Sequence, residues 1–293
     1  MWWDRDLNAP AIDNQLYINK VRPFPKYPGI TYSDNGASHT YQALVLEARR
    51  RVTKGGPMFQ AGYTWARDLG DSDTTPEDPS NRARERAPDT TLPNQRFSAT
   101  MFYDLPFGHG KALFSEAPKL VNRIINDWQL SVTSSQQTGS HLTPLISVPD
   151  PTGTRYTTSA NRPLISIRPD LLSDPNVGGK RDETNWYNLA AFGAPPIGRF
   201  GTSARGVING PGVNVIHASI HKTVALGGER APKLVIGLLG TNVFNHTNLG
   251  NPALTVSTLA TAATISSTGG PNASAPSDRA GARNLWGTLR LEW

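Results

Sequence analysis

The stretch Arg283-Asn-Leu-Trp-Gly-Thr-Leu-Arg-Leu-Glu-Trp293 alternates along its whole length. In a β-strand, successive side chains point to opposite faces. One face of this stretch would carry Leu285, Gly287, Leu289, Leu291 and Trp293. The other face would carry Asn284, Trp286, Thr288, Arg290 and Glu292. Alternation this strict predicts a half-buried strand that ends on an aromatic residue.

The composition excludes several classes of protein. Of the 293 residues, 37% are hydrophobic and 18% are charged, which is too apolar for a disordered chain. The longest apolar run, about Leu234 to Leu239, falls far short of the ~20 residues that a membrane helix needs. The chain has no cysteine, which excludes a disulfide scaffold and a cysteine zinc site. A net charge of +6 without a basic block longer than Arg49-Arg50-Arg51 gives no reason to expect a nucleic-acid partner.

Six further segments alternate like the last one, and Gly- and Pro-rich links separate them. They lie at about 39–52, 57–68, 95–106, 125–138, 213–225 and 232–243. The links at 53–56 and 226–231 are short, and 107–124 is intermediate. The links at 69–94, 139–212 and 244–282 are long and polar. Shorter and longer links therefore alternate along the chain.

This alternation of links is typical of a bacterial outer-membrane β-barrel, which has short periplasmic turns and long external loops. A terminal strand of about ten residues that ends on an aromatic also fits the last strand of such a barrel. The predicted fold is all-β, an antiparallel meander that forms part of a transmembrane β-barrel with long external loops. If the C-terminus is periplasmic, every long link lies outside the membrane. The start, Met-Trp-Trp-Asp-Arg-Asp, has no export signal, so either the chain belongs to a longer protein or the barrel hypothesis is wrong.

The barrel hypothesis assigns the residues of each strand to lipid or to the lumen. Lipid-facing and aromatic-girdle positions would be Leu44, Leu46, Tyr63, Trp65, Met101, Trp128, Leu289, Leu291 and Trp293. Tyr41 is expected in the outer girdle and Phe107 in the inner one. Lumen-facing positions would be Glu47, Arg49, Arg51, Arg96 and Arg290, in a hydrated polar network or against a plug.

A second hypothesis stays open at this point, because alternating strands with aromatic residues also build secreted β-sandwiches. A secreted or surface binding module, such as an adhesin or a glycan-binding domain, would bury the same apolar residues between two sheets.

Several motifs resemble those of TonB-dependent outer-membrane receptors, in the subgroup with a carboxypeptidase-regulatory-like N-terminal domain. Near the start they are Tyr41-Gln-Ala-Leu44, Gly62-Tyr-Thr-Trp65, Asp104-Leu-Pro-Phe-Gly108, Asp127-Trp-Gln-Leu130 and Gln137-Thr-Gly139. Further on they are Asn185-Trp-Tyr-Asn-Leu-Ala-Ala-Phe192, Gly198-Arg-Phe-Gly201, Gly210-Pro-Gly212, Asn242-Val-Phe-Asn-His-Thr-Asn248 and Gly250-Asn-Pro252. In order, these motifs cover most of residues 22–293.

The resemblance implies the C-terminal part of a barrel of about 22 strands. Residues 1–38 would be an N-terminal loop or partial strand, and residues 39–293 would be the barrel segment, with the plug domain, TonB box and accessory domain absent. The family imports scarce nutrients such as siderophores, cobalamin, glycans or peptides. The partners implied are outer-membrane lipid, the TonB complex through the missing N-terminal region, the barrel assembly machinery through the C-terminal strand, and an unknown small-molecule ligand. The chain departs from the family at Gly237 and Leu239 on the sixth strand, and at Pro93-Asn-Gln95.

We expect no enzymatic activity, no catalytic residue, no cofactor and no metal. Ser219 and Lys222 match a Ser-x-x-Lys pattern, but on a strand their side chains point to opposite faces. His217 and His221 would lie about 13 Å apart on a strand, too far to share one ion.

Two charged groups in the 69–94 link admit a binding role. Asp68, Asp71 and Asp73 lack the spacing of a calcium loop, which favours a solvated external loop. Arg82, Arg84 and Arg86, near Glu85, are interpreted as a soluble surface, with contact to an anionic substrate or to lipopolysaccharide phosphate as the alternative.

Overall fold

Seven long strands form one antiparallel sheet in a computed structural model. It describes residues 3–6, 23–27, 30–51, 56–71, 77, 81–89, 92–147, 168–196, 200–227, 232–268 and 281–293. The strands are β1 (His39–Arg50), β2 (Met58–Gly70), β3 (Gln95–Asp104), β4 (Trp128–Gln137), β5 (Val213–Ala225), β6 (Lys233–Thr241) and β7 (Asn284–Glu292). Each pairs with the next along the chain, so β1 and β7 lie at the two edges. The predicted all-β antiparallel meander is confirmed.

The fourth strand begins later than the alternation predicted, at Trp128 instead of about residue 125. Residues Lys119–Ile125 form a short helix, α1, which ends at Asn126. Asp127 then takes a left-handed backbone conformation, with φ 57°, that turns the chain from the helix into the strand. No helix among the described residues is long and apolar enough to cross a membrane.

The register fixes which side chains share a face, because residues directly opposite each other in neighbouring strands point the same way. One row runs across the whole sheet through Arg50, Phe59, Met101, Val132, Ala218, Gly240 and Leu285. The row beside it on the other face runs through Arg49, Gln60, Thr100, Thr133 and His217. The sheet therefore has one largely apolar face and one polar face.

The apolar face has no second sheet packed on it within the described part of the chain. Six apolar side chains are spread across it, three of them predicted to meet lipid, and none of the six is buried. They are Leu44, Phe59, Met101, Leu130, Ile216 and Leu289. At the sheet edges Leu44 is 50% exposed and Leu289 is 72% exposed. A β-sandwich would bury these side chains between two layers, so the sandwich hypothesis is wrong for this chain.

The buried core lies in the links at one end of the sheet. It consists of Leu142, Ile146, Tyr187, Ile208, Val256 and Ala263. All six come from the links after β4 and β6, which the sequence predicted only as long polar loops. Short strand pairs order them, His141–Leu142 with Ile208–Asn209 and Asp170–Leu171 with Phe192–Gly193. We call the described residues of the links after β2, β4 and β6 the loop cap.

Two smaller elements complete the fold. Ala87–Pro88, in the link after β2, pairs with the end of β2, and a 3-10 turn at Arg82–Glu85 precedes it. Near the N-terminus, Trp3–Asp6 pairs antiparallel with Thr31–Asp34 in a separate two-stranded sheet. Much of the remainder of the 1–38 segment lies outside the described residues.

Candidate functional site

The five charged residues predicted for the lumen follow the polar face. Glu47 lies opposite Gly62, and Arg49 lies opposite Gln60, both in the β1–β2 pair. Arg96 lies opposite Thr64 and Gln137, and Arg290 lies opposite Val235. Arg51 follows β1 directly and continues the alternation of Glu47 and Arg49. The polar face thus gathers charges from both edges and the middle of the sheet.

These charges pair locally along a strand. Arg49 Nη2 lies 2.7 Å from Glu47 Oε2, and Arg290 Nη2 lies 2.6 Å from Glu292 Oε1. All four side chains are largely exposed, so each pair contributes at most about 1 kcal/mol to stability. These pairs keep the face polar but add little to the stability of the sheet.

A cleft of about 740 Å³ opens on the polar face, at the end of the sheet opposite the loop cap. Its lining carries both signs of charge, and it includes Asp104, Lys233, Arg290 and Glu292 as well as His221. Gln129 Nε2 donates to Asp104 Oδ1 at 2.9 Å along one wall. The wall therefore offers hydrogen-bond donors and acceptors to a polar solute or to another polar domain.

The residues predicted for lipid and the girdles share the apolar face. Leu44 lies opposite Trp65, and Leu46 lies opposite Tyr63. Met101 belongs to the row through Phe59 and Val132. Leu289 and Leu291 lie opposite Ile236 and Leu234. Trp293 follows β7 and is 96% exposed.

One of the girdle expectations is wrong. Tyr41 lies opposite Asp68 and three positions before the apolar Leu44, so it belongs to the polar face. The prediction placed Tyr41 by its height along the strand and did not check which face that position takes. Phe107 lies just after β3, where its ring packs 6.1 Å from that of Phe114, and its place in the inner girdle stays a prediction.

Trp128 has an unexpected charged neighbour. Lys222 lies opposite it on the apolar face. The ammonium donates to the Asn126 carbonyl oxygen at 2.6 Å and lies 5.4 Å from the centre of the Trp128 ring. The lysine stem thus covers apolar surface while its charge reaches the polar end of the strand. Ser219 takes the opposite face from Lys222, so the prediction that these two side chains point to opposite faces is confirmed.

Three buried charged residues and the half-buried Arg84 join two links of the loop cap. Arg168 donates through Nη1 and Nη2 to both carboxylate oxygens of Glu85, each at 3.0 Å. Arg168 Nε also donates to Glu77 Oε2 at 2.9 Å. Arg84 Nη2 donates to the same Glu77 oxygen at 2.7 Å. Burial raises the pKa of Glu77, and the charges of Arg168 and Arg84 oppose that rise.

The arginines predicted as a soluble surface or an anion contact instead hold the loop cap together. Arg84 pairs with Glu77, and its guanidinium also contacts the Gly201 carbonyl oxygen and the Phe200 ring. Arg82 Nη2 lies 3.0 Å from Asp71 Oδ2, and Arg86 Nη1 donates to Ser38 Oγ at 3.1 Å. Neither the soluble-surface interpretation nor the anion-contact alternative included these contacts, because partners such as Gly201 and Ser38 lie far away in the sequence.

The aspartates at the start of the same link are buried, so the solvated-loop interpretation is wrong for them. Asp68 is 5% exposed and Asp71 is 7% exposed. Burial tends to raise the pKa of Asp71, but the hydrogen bond from Ser38 N and the pair with Arg82 outweigh it and lower the pKa. Asp73 lies outside the described residues.

A tyrosine organises the apolar core of the loop cap. The Tyr187 hydroxyl donates to the Ala253 carbonyl oxygen at 2.7 Å and accepts from Ala263 N at 3.2 Å. Its ring meets that of Phe192 edge to face, with centroids 5.9 Å apart. Burial raises the pKa of the hydroxyl to about 12. Tyr187 therefore ties the link after β4 to the link after β6.

One group of described side chains could hold a metal ion. His39, Asp68 and Asp89 have ligand atoms within 4.8 Å of one another, at the loop-cap end of the sheet. The group was not predicted, since its members are spread over the start of β1, the end of β2 and the following link. His217 and His221 lie four residues apart on β5, and His217 Nδ1 accepts from Asn242 N at 3.3 Å.

An antiparallel sheet with an exposed apolar face, a polar face and its long links gathered at one end defines the wall of a transmembrane β-barrel. The model of the family described as "Outer membrane beta barrel domain" matches residues 1–285, and the chain belongs to that family. The protein is located in the bacterial outer membrane. Comparison with curated proteins and with solved structures gives no match.

Proposed function

We propose that this chain is the C-terminal barrel wall of a TonB-dependent transporter that imports a scarce nutrient across the outer membrane. The observation that carries the proposal is the pairing of a polar sheet face with a loop cap that has its own buried core. Passive diffusion needs only an open, polar channel. A cap with an ordered core is suited to recognising a particular solute before it passes along the wall.

Several of the motifs that resemble TonB-dependent receptors lie in this cap, which supports the proposal. In Asn185–Phe192, Trp186 Nε1 donates to the Asn209 carbonyl oxygen at 2.8 Å and Tyr187 fills the core. In Asn242–Asn248, Asn242 Nδ2 donates to the carbonyl oxygens of His246 and Gly281 at 2.8 Å and 2.7 Å. These contacts hold the link after β6 in one arrangement above the sheet.

Each part of the chain has a role in the proposed transporter. The apolar face meets outer-membrane lipid, and the polar face lines the passage and meets the plug. The TonB complex acts through the N-terminal region of the full-length receptor, and the barrel assembly machinery recognises β7. The chain binds and guides its ligand and performs no bond-making step.

The proposal is tested with the full-length protein in cells that have or lack TonB. The probes are radioactive ferric siderophores, radioactive cobalamin and fluorescent oligosaccharides. We expect one class to accumulate only when TonB and the proton-motive force are present, while binding at the cell surface survives an uncoupler. Accumulation that is the same without TonB would contradict the proposal and would indicate a passive pore.

A second test does not require the ligand. The purified periplasmic domain of TonB should bind the full-length receptor in detergent and should lose that binding when the N-terminal region is removed. A receptor that never binds the TonB domain, with or without transported probes, would contradict the proposed energy coupling.

A further inference from the structure

Three side chains converge on the polar face at the loop-cap end of the sheet. His39 begins β1, Asp68 lies near the end of β2, and Asp89 follows the short strand Ala87–Pro88. His39 lies opposite Gly70 in the register, and Asp89 N donates to the Asp68 carbonyl oxygen at 3.3 Å. The three segments are therefore already fixed side by side by backbone pairing.

Gly70 leaves the space that the His39 side chain occupies in this convergence. A Cβ on Gly70 would lie 2.9 Å from His39 Cδ2, closer than real contacts allow. The imidazole therefore lies directly over Gly70 and reaches Asp68. Any side chain at position 70 would push the imidazole away from the carboxylates.

The Asp68 carboxylate has an unusual environment. It is buried, and neither Oδ1 nor Oδ2 has a hydrogen-bond partner. His39 Nε2 lies directly against Oδ1 as an ion pair. Buried carboxylates are almost always hydrogen-bonded or bound to a cation, because an isolated buried charge is very unfavourable. An ion bound jointly by the imidazole and the carboxylates would separate these two atoms and would place a cation beside the buried carboxylate.

We propose that His39, Asp68 and Asp89 bind a divalent transition-metal cation, with Zn²⁺ as the best fit. Ligands that bind one ion at about 2.0–2.6 Å lie no more than about 5 Å apart, and the ligand atoms here lie within 4.8 Å. Two carboxylates balance the charge of the ion, and an imidazole nitrogen favours zinc over calcium or magnesium. Three protein ligands leave a position for water or for a ligand atom from solution.

Two arginines in the same link bond other groups near the cluster. Arg82 pairs with Asp71, and Arg86 donates to Ser38 Oγ. Ser38 N also donates to Asp71 Oδ1 at 2.6 Å. Asp71 thus balances the charge of Arg82 beside the cluster. The bound ion would cross-link the edge strand β1 to β2 and to the loop cap, and this role is independent of the proposed transport.

The test uses the full-length protein, extracted from outer membranes in detergent, stripped with a chelator and titrated calorimetrically with ZnCl₂, MnCl₂ and CaCl₂. We expect saturable zinc binding that His39→Gln and Asp68→Asn each weaken by at least tenfold. His109→Gln and Asp104→Asn are matched controls at the opposite end of the sheet and should leave zinc affinity unchanged. Co²⁺ should give a visible absorption spectrum that His39→Gln alters, because a nitrogen ligand is lost.

Two results would overturn the proposal. One is the absence of saturable binding by any of the three ions to the folded protein. The other is zinc binding of equal affinity in the wild type and in both ligand variants. Electrophoretic mobility before and after heating reports whether each variant is folded. If Asp68→Asn fails to fold, His39→Gln decides the question, because the His39 side chain is partly exposed to solvent.

Discussion

Arg168 and Glu85 are separated by 83 residues in the chain, yet they form a two-point ion pair with both N–O distances at 3.0 Å. The side chains are only 2% and 1% exposed, respectively. Glu77 completes the arrangement by accepting from the backbone and the guanidinium of Arg168. The ion pair therefore fastens the link after β2 to the link after β4, and the loop cap depends on it.

Removing one charge of this pair should loosen the loop cap and leave the sheet intact. In Glu85→Gln, the buried Arg168 guanidinium loses one of its two carboxylate partners and keeps Glu77, so we expect a loss of up to about 3–5 kcal/mol. Hydrogen exchange should rise across residues 81–89 and 168–171 and stay low in β3 and β4. The control is Glu47→Gln, whose exposed pair with Arg49 contributes at most about 1 kcal/mol. Equal effects of the two substitutions would contradict the structural role of the network.

The strands and faces were predictable because their signal is local. A period of two assigns each residue to a face, and pairing between strands then preserves the assignment, as for Leu46 and Tyr63. The prediction was wrong for Tyr41, where height along the strand was considered and parity was not. The helix Lys119–Ile125 was missed because seven residues with apolar Leu120, Val121 and Ile124 are too short to establish a helical period.

The loop cap could not be predicted, because its contacts join residues that are far apart in the sequence. Arg84 contacts the Gly201 carbonyl oxygen across 117 residues, and Arg168 contacts Glu77 across 91. Arg84 lies in a polar link, and the residues around it do not indicate which distant residue it contacts. The group of His39, Asp68 and Asp89 was not predicted for the same reason, since backbone pairing between strands brings its members together.

Acidification should loosen the strand pair of His141–Leu142 with Ile208–Asn209. Burial lowers the pKa of His141, while an interaction with the Gly206 backbone opposes the shift in part. Because the pKa of His141 is lower in the folded state, its full contribution to the free energy of unfolding is present above the unfolded-state pKa of about 6.5. That contribution is lost as the pH falls through the folded-state value. Hydrogen exchange at residues 140–142 and 208–210 should therefore be faster at pH 5 than at pH 7.5, after correction for the intrinsic rate.

The histidine responsible can be checked by substitution. His141→Gln removes the titrating group and should make the exchange protection nearly independent of pH in this range. His109→Gln changes an exposed histidine outside the loop cap and should retain the wild-type pH dependence. If the protection in His141→Gln still falls on acidification, another group causes the loosening.

Alkaline pH should act on the loop cap through Tyr187. Its folded-state pKa is raised to about 12 from 10.0, so its contribution is present below pH 10 and is lost as the pH rises to about 12. Two pKa units correspond to about 2.7 kcal/mol. Tyr187→Phe should remove this pH dependence and lower stability by about 0.5–1.5 kcal/mol, since Ala253 O and Ala263 N lose the hydroxyl but keep the hydrogen bond to each other. Absorbance of tyrosinate and hydrogen exchange together measure both effects, and a Tyr187 that titrates near pH 10 would contradict the prediction.

Gly139 should tolerate no side chain. A Cβ there would lie 1.9 Å from the Gly210 carbonyl oxygen, so Gly139→Ala must separate the chain leaving β4 from the chain entering β5. We expect a loss of about 1–3 kcal/mol, typical of overpacking at a tight contact. Gly287→Ala is the control, because a Cβ at Gly287 meets no atom within 4 Å. Denaturant titration in detergent compares the two, and an equal midpoint would refute the close approach.

Neighbouring residues in the central strand β4 should respond to the same charge with losses of very different size. Val132 belongs to the apolar face, with Met101 and Ala218 beside it, and Thr133 belongs to the polar face, with Thr100 and His217 beside it. Val132→Arg places a guanidinium against hydrocarbon, which costs about 2–4 kcal/mol near the bilayer midplane. Thr133→Arg adds the same group to a wet surface, where we expect a much smaller loss. Urea titration of the full-length protein in lipid vesicles measures the loss of stability in both variants. If both variants fold and Thr133→Arg loses more stability, the assignment of lipid and lumen to the two faces is reversed.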